Sequence, residues 1–237
     1  MNNNLANNTQ AIGQNDSHLT WLSSRLAIHQ NIVKPWQNMA DLAQQSGISL
    51  TIASGYRSFE RQLAIWNKKF NGELAVKDKQ NNTIALQHLT DIEKVMAILT
   101  YSALPGASRH HWGTDIDVYA SNLLPPDQSL QLEPWEYQET GYFFALSEWL
   151  KIHAHDFGFF FPYQYDQGGV AIEPWHLSFA TIAQQYQQAL TLSTLTQAIR
   201  VSNIAGKQAI LANLPDIYQQ YIININPASN MSDSNKE

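Results

Sequence analysis

The chain has 237 residues, of which 44% are apolar, enough to bury a sizeable core in one domain or two small ones. A net charge of −6, with only 14 lysines and arginines and no basic cluster, argues against nucleic acid as a partner. The absence of cysteine excludes disulfides and thiolate metal sites, so any bound metal must take nitrogen and oxygen ligands.

Residues 1–17 are rich in Asn and Gln and read as a disordered tail. A secretory signal needs a charged start and an apolar segment. Neither is present, so the expectation is a cytoplasmic protein, or a periplasmic one if the true N-terminus differs. No stretch approaches the roughly 20 apolar residues of a membrane helix. The spacing of Leu22, Leu26, Ile32, Trp36, Met39, Leu42 and Ala43 predicts helix over 19–45. Pro35 should split it or open its second part, and Gly47 should stop it. Residues 49–53 predict a short strand, and Ser54-Gly55-Tyr56-Arg57-Ser58 a turn at its exit. Ser58 is a candidate N-cap for a helix carrying Phe59, Leu63, Ile65 and Trp66 and ending near Asn71-Gly72. Residues 73–88 are polar and irregular. Thr90 and Glu93 have capping-box spacing, which predicts a helix to about Ala103, ended by Pro105-Gly106.

Residues 114–119 alternate like a strand, with Asp115 and Asp117 on one face. A long loop over 121–141 and a helix over 142–155, closed by Gly158, follow. Strands are expected at 159–161, 169–172 and 176–179, then a helix over 180–201. Another helix should span 207–223 with a break at Pro215. The pattern is α+β, a small central antiparallel sheet flanked by helices, with extra helices at both ends. It reads as a tail over 1–17, a single domain over 18–225 and a polar tail over 226–237.

Two segments carry the chemistry. Between positions 110 and 117 lie two histidines and two aspartates, and Glu173-Pro174-Trp175-His176 adds another carboxylate and imidazole. His110 and Asp117 are seven residues apart with Gly113 between them, which suits a loop running into a strand rather than one helix face. With His176 they make three ligands for one zinc per chain and leave a fourth position for water, as in catalytic sites. Glu173, fixed by Pro174, is the candidate base for that water. A cation is wanted opposite the metal, to hold a substrate carboxylate or steady an oxyanion. Of the five arginines, Arg57 follows a strand on a Gly-containing turn and is the choice. Ser108 and Gln62 could add hydrogen bonds to substrate.

At these residues the chain resembles the zinc D-alanyl-D-alanine carboxypeptidases of the VanY type, a family that includes D,D-dipeptidases and L,D-carboxypeptidases. The signature Ser-x-His-x-x-Gly-x-Ala-x-Asp matches Ser108, His110, Gly113 and Asp117, and Glu-x-x-His matches Glu173 and His176. The upstream Ser-Gly-Tyr-Arg-Ser motif stands at Ser54 to Ser58, with Gln62 where the family often has Gln. The resemblance runs from about residue 49 to 179. It implies that His110, Asp117 and His176 bind zinc, that Glu173 is the general base, and that Arg57 with Ser108 contacts the substrate or intermediate. It also implies a peptidoglycan-derived peptide ending in D-alanine as substrate. Alternatives are L,D-carboxypeptidase or D,D-dipeptidase activity on recycled wall peptides, an endopeptidase, or a non-catalytic wall-peptide or zinc-binding module. Two positions depart from the family. Asp115 stands where the signature has Ala, and Ser178 stands where an Arg is expected two residues after the ligand histidine.

Other polar residues have plainer readings. His111 would point away from His110 on an extended chain. Asp115 is a hydrogen-bond partner of a ligand histidine, a turn-stabilising acid or a spare ligand. His153 and His155 sit at a helix C-terminus, where the dipole favours imidazolium.

Overall fold

A computed structural model describes residues 7–228. Asn7 caps a short helix, α1 (Asn8–Ala11), by accepting from the Gln10 amide, and the Gln10 side chain accepts from the Asn7 amide in return. Ala11 is fully buried, and its carbonyl accepts from Trp112 Nε1 at 2.9 Å. Residues 7–17 are thus structured, against the expectation of a disordered tail. Residues 1–6 of that tail, and 229–237 of the C-terminal one, lie outside the described residues. Asn226, read as the start of a polar tail, is buried and accepts from the Tyr165 amide.

Residues 19–32 also differ from the helix their apolar spacing predicts. They form an antiparallel ribbon of β1 (Leu19–Ser23) and β2 (Leu26–His29), followed by a 3-10 turn at Gln30–Ile32. Long-range bonding overrides the local period here. The Tyr56 amide donates to Ala27 O and the His29 amide to Gly113 O, both at 2.8 Å, so β2 is tied to both segments that later carry the site. Helix α2 (Val33–Gln45) follows, with Pro35 in its first turn, where backbone amides have no intrahelical partner.

The strand β3 (Leu50–Ser54) leads through the expected turn into α3 (Phe59–Phe70), capped by Ser58. The Thr90–Glu93 capping box opens α4 (Asp91–Leu99), which ends earlier than the expected Ala103. Then come β4 (Asp115–Ala120), α5 (Phe144–His153), β5 (Phe159–Phe160) and β6 (His176–Phe179). The loop over 121–141 contains a 3-10 turn at Pro134–Tyr137, where Tyr137 Oη donates to Val118 O at 2.7 Å. Residues 169–172 are not a strand; the Ala171 amide donates to Thr100 O in a single cross-link. The expected helix over 180–201 is two, α6 (Ala180–Ala189) and α7 (Leu192–Val201), because the Thr191 side chain caps a new start. Helix α8 (Lys207–Ile217) runs through Pro215, held by burial of Ile210, Leu214 and Ile217, and loosens after it in a wide turn at Tyr218–Ile222.

The sheet order is β3-β4-β6-β5, antiparallel throughout. Period-2 alternation splits β4 as expected. Ile116 and Val118 enter a core with Met39 of α2 and Phe143 and Leu146 at α5, together with Leu177 of β6. A second core gathers Trp66 of α3, Val95 of α4, Tyr186 of α6 and Leu214 of α8 around Trp112 from the turn before β4. The polar residues of β4 lie at the seam where these layers meet the loops. Among the described residues, no helix is long and apolar enough to cross a membrane.

Gly113 is where β4 is joined to the turn that carries the histidines. Its φ is +67°, and a Cβ there would stand 2.8 Å from the His29 amide nitrogen. Gly72 has φ +78° with nothing within 4 Å. We expect Gly72→Ala to lose only the backbone term of roughly 1–2 kcal/mol, and Gly113→Ala to lose clearly more. Equal losses in urea unfolding would contradict the packing constraint at Gly113.

Candidate metal centre

Ser108 precedes a 3-10 turn, Arg109–Trp112, that presents His110, and β4 presents Asp117. Register places Asp117 opposite His176 across β4 and β6. His110 Nδ1 lies 2.9 Å from Gly55 O, so it carries the hydrogen and leaves the Nε2 lone pair free. That Nε2 faces Asp117 Oδ2 at 3.4 Å. His176 Nε2 lies 3.0 Å from Asp115 Oδ1, while its Nδ1 faces Asp117 Oδ1 at 3.4 Å and Glu173 Oε2 at 3.2 Å. One atom from each of His110, Asp117 and His176 thus lies within 4.8 Å of the others, and all three residues are buried.

The electrostatics fit a cation. Burial pushes Asp117 up to about 7, against the pull of His176, and Glu173 adds like-charge repulsion. Burial also holds His110 well below the usual imidazole range, with repulsion from Arg57 next. For His176 burial acts downward too, but hydrogen bonds to Asp115 and Glu173 outweigh it and raise the group to about 10. Asp117 Oδ1 is buried and has no hydrogen-bond partner. Such an orphaned acceptor is rare in a folded interior. A divalent ion between the two imidazoles and this oxygen would satisfy it, and two nitrogens with one oxygen is a set that zinc accepts.

Asp115 lies outside that group of three and hydrogen-bonds His176. The sequence left three roles open for it, and the geometry favours the hydrogen-bond partner. Its carboxylate also accepts from Arg109 Nε at 2.7 Å, Thr114 Oγ1 at 2.8 Å and Ser178 Oγ at 3.1 Å. Burial pushes Asp115 up, but Arg109 and His176 together outweigh it and hold the carboxyl far below the usual range. The same guanidinium donates to Ser178 Oγ at 2.7 Å. Arg109 was passed over in the sequence; the paired departures at positions 115 and 178 were the signal for it.

Arg57 is half-buried on the cavity wall, with Nη1 donating to Gln62 Oε1 at 2.9 Å and Nη2 reaching Ser54 Oγ at 3.4 Å. Gln62 is fully buried and does not line the cavity; its amide donates to Ala103 O at 2.7 Å. The expected direct bond from Gln62 to substrate is therefore replaced by support of Arg57 from behind. His111 is fully buried. Its Nε2 accepts from the Gly106 amide at 3.0 Å and its Nδ1 donates to Arg57 O, so it braces the Arg57 turn.

Ser108, His110, Asp117, Glu173 and His176 line a cavity of about 320 Å³, within the usual range for small-ligand sites. Trp175 forms part of its wall, whereas Trp112 packs behind, stacked on Tyr186 with ring centroids 5.9 Å apart. Tyr163 also lines the cavity and sets its ring edge-on to His176 at 5.0 Å.

A family model described as VanY, D-alanyl-D-alanine carboxypeptidase, matches residues 25–182. A Haemophilus influenzae protein described as uncharacterized is 42% identical over 126 residues, which cover 52% of this chain and 96% of that protein. A D-alanyl-D-alanine carboxypeptidase of Enterococcus faecalis is 28% identical over 185 residues, covering 76% of this chain and 59% of that one. Among solved structures, VanYB in complex with D-alanine-D-alanine is 26% identical with a TM-score of 0.52, covering 80% of this chain and 92% of that one. The vancomycin-resistance D,D-pentapeptidase VanY in complex with Zn(II) is 25% identical with a TM-score of 0.51, covering 83% and 91%.

Partners that orient a ligand histidine are worth roughly 10- to 100-fold in metal affinity. Asp115→Asn should lower zinc affinity by about that factor in competition with a chelating dye; unchanged affinity would remove Asp115 from the centre. Metal uptake near neutral pH must displace protons from His176 and Asp117, whose positions near 10 and 7 leave them protonated or partly so. Affinity should therefore fall from pH 8 to pH 6, and a flat profile would contradict this.

Proposed function

The chain belongs to the VanY family of D-alanyl-D-alanine carboxypeptidases, and on that premise we propose that it is a zinc-dependent carboxypeptidase. Its substrate would be a peptidoglycan-type peptide ending in D-alanine, cut at the last peptide bond. The observation that carries this reading is the orphaned Asp117 oxygen between two imidazoles, with a further carboxylate, Glu173, 3.2 Å from the nearer ring. A purely structural histidine cluster has no use for that extra acid.

In this reading His110, Asp117 and His176 hold the zinc. When bound, zinc supplies a Lewis acid and lowers the pKa of its water towards about 7. The chain's own residues do the rest. Glu173 takes a proton from the attacking water and later delivers it to the leaving amine, so one carboxylate serves as base and then acid. The Glu173 amide donates to Tyr163 O at 3.1 Å, and Pro174 follows, which limits how far the carboxylate can swing. Arg57, kept extended by Gln62 and Ser54, faces the charge that grows on the scissile oxygen. The charges of Asp117 and Glu173 both act on its guanidinium, which supports this role. Ser108 lines the same cavity, which supports a role in bonding the peptide backbone. The Arg109–Asp115 pair keeps His176 from rotating while charge changes beside it.

The test is to incubate the zinc-loaded protein with wall tri-, tetra- and pentapeptides, with and without chelator. Release of the terminal residue, stopped by chelator and restored by zinc, is expected. Glu173→Gln should keep zinc and lose about 10²- to 10⁴-fold in turnover, the usual share of acid–base catalysis. Full turnover in Glu173→Gln would take Glu173 out of the mechanism. A zinc-loaded protein that releases no terminal residue from any of the peptides would end the carboxypeptidase reading.

A further inference from the structure

A carboxypeptidase site has two tasks for positive charge. One is to steady the oxyanion at the scissile bond; the other is to recognise the free C-terminal carboxylate, one residue further along. Resting on the reading above, we propose that Lys69 performs the second task, binding the substrate's terminal carboxylate and making the site demand a free C-terminus.

Lys69 lies in the last turn of α3, seven residues after Gln62, and so on the same helix face. It lines the same cavity as the metal centre, beside Tyr101 and Ser102. Its Nζ donates to Ser102 Oγ at 2.7 Å, which uses one of three donors and leaves two. The cavity's other cations are committed. Lys77 pairs with Glu133, and Arg109 pairs with Asp115. Arg57 is held by Gln62 and Ser54 on the side of Asp117 and Glu173. Lys69 enters none of the ion pairs among the described residues. Burial lowers its basicity, Arg57 lowers it further, and the attraction of Glu173 opposes them. A sheltered ammonium with only a hydroxyl partner gains most from an anion delivered by a ligand. A peptide carboxylate is acceptor-only and matches the two spare donors.

The division of labour also accounts for Gln62. It anchors Arg57 on one side and Ala103 on the other, and Ala103 follows the serine that holds Lys69. Segment 101–103 therefore sets the separation of the two cations, and with it the position of the terminal residue relative to the metal.

Binding tests this without needing turnover. The probe is an N-acetylated peptide ending in D-alanine, as the free acid and as the C-terminal carboxamide, titrated into zinc-loaded Glu173→Gln protein. With Lys69 present, the acid should bind about 10- to 100-fold tighter than the amide, the range of one charge-assisted hydrogen bond. Adding Lys69→Met or Lys69→Gln should weaken the acid alone and bring the ratio near one, while Lys69→Arg keeps the preference. Two substitutions guard against a folding defect, since Gln can retain the bond to Ser102. A preference that survives both overturns the role of Lys69 and leaves the carboxypeptidase reading intact if the wild-type enzyme cleaves the acid. If neither peptide binds the parent protein, both fall together.

Discussion

A carboxylate with one unpartnered oxygen, sealed between two imidazoles, is the constraint on which the site depends. Burial strips most of the water from Asp117 and by itself would drive it to protonate. The fold fixes it there through backbone register rather than side-chain adjustment. Asp117 stands opposite His176 because β4 and β6 pair in one register, and a slip of one residue would turn both away. His110 comes to the same point because Gly113 allows a left-handed step between the turn and the strand. The β1–β2 ribbon closes on that step through the His29 amide, and α1 closes on Trp112 beside it. The peripheral elements thus stabilise a strained electrostatic arrangement that would otherwise relax.

Behind the centre lies a buried ion pair that the family signature does not contain. Asp115 replaces an expected Ala and Ser178 an expected Arg, and Arg109 bonds both. One guanidinium thus links the two departing positions. The guanidinium enters from the turn that carries His110, and Asp115 neutralises it. Its stability contribution is modest, since desolvating two charges offsets much of their attraction. Its value is directional, because Asp115 also fixes the ring of His176. Removing Asp115 alone would strand the Arg109 charge in the interior.

Much of this was legible in the sequence where local chemistry decides. Ser58 caps α3, the Thr90–Glu93 box opens α4, and alternation in 114–119 separates the polar face of β4 from its apolar one. The residues of the centre were legible because histidine and aspartate at those spacings have few other uses together. What failed depends on partners remote in sequence. The apolar residues around 19–32 have a helical period, yet β2 is bonded by Tyr56 and Gly113. An Asn-rich start looked unable to order itself, but Ala11 finds a buried place beside Trp112. Gln62 and Lys69 share one face of α3, and nothing local tells which of them reaches the cavity. Arg109 gave no sign of its own, because its partners lie 6 and 69 residues away.

The central claim is that His110, Asp117 and His176 hold one zinc. Anomalous diffraction from crystals grown with zinc, recorded on either side of its absorption edge, tests it most directly. The account predicts a single strong peak about 2.0–2.2 Å from His110 Nε2, His176 Nδ1 and an oxygen of Asp117. A peak elsewhere, or none at these three residues in a zinc-saturated crystal, would contradict it.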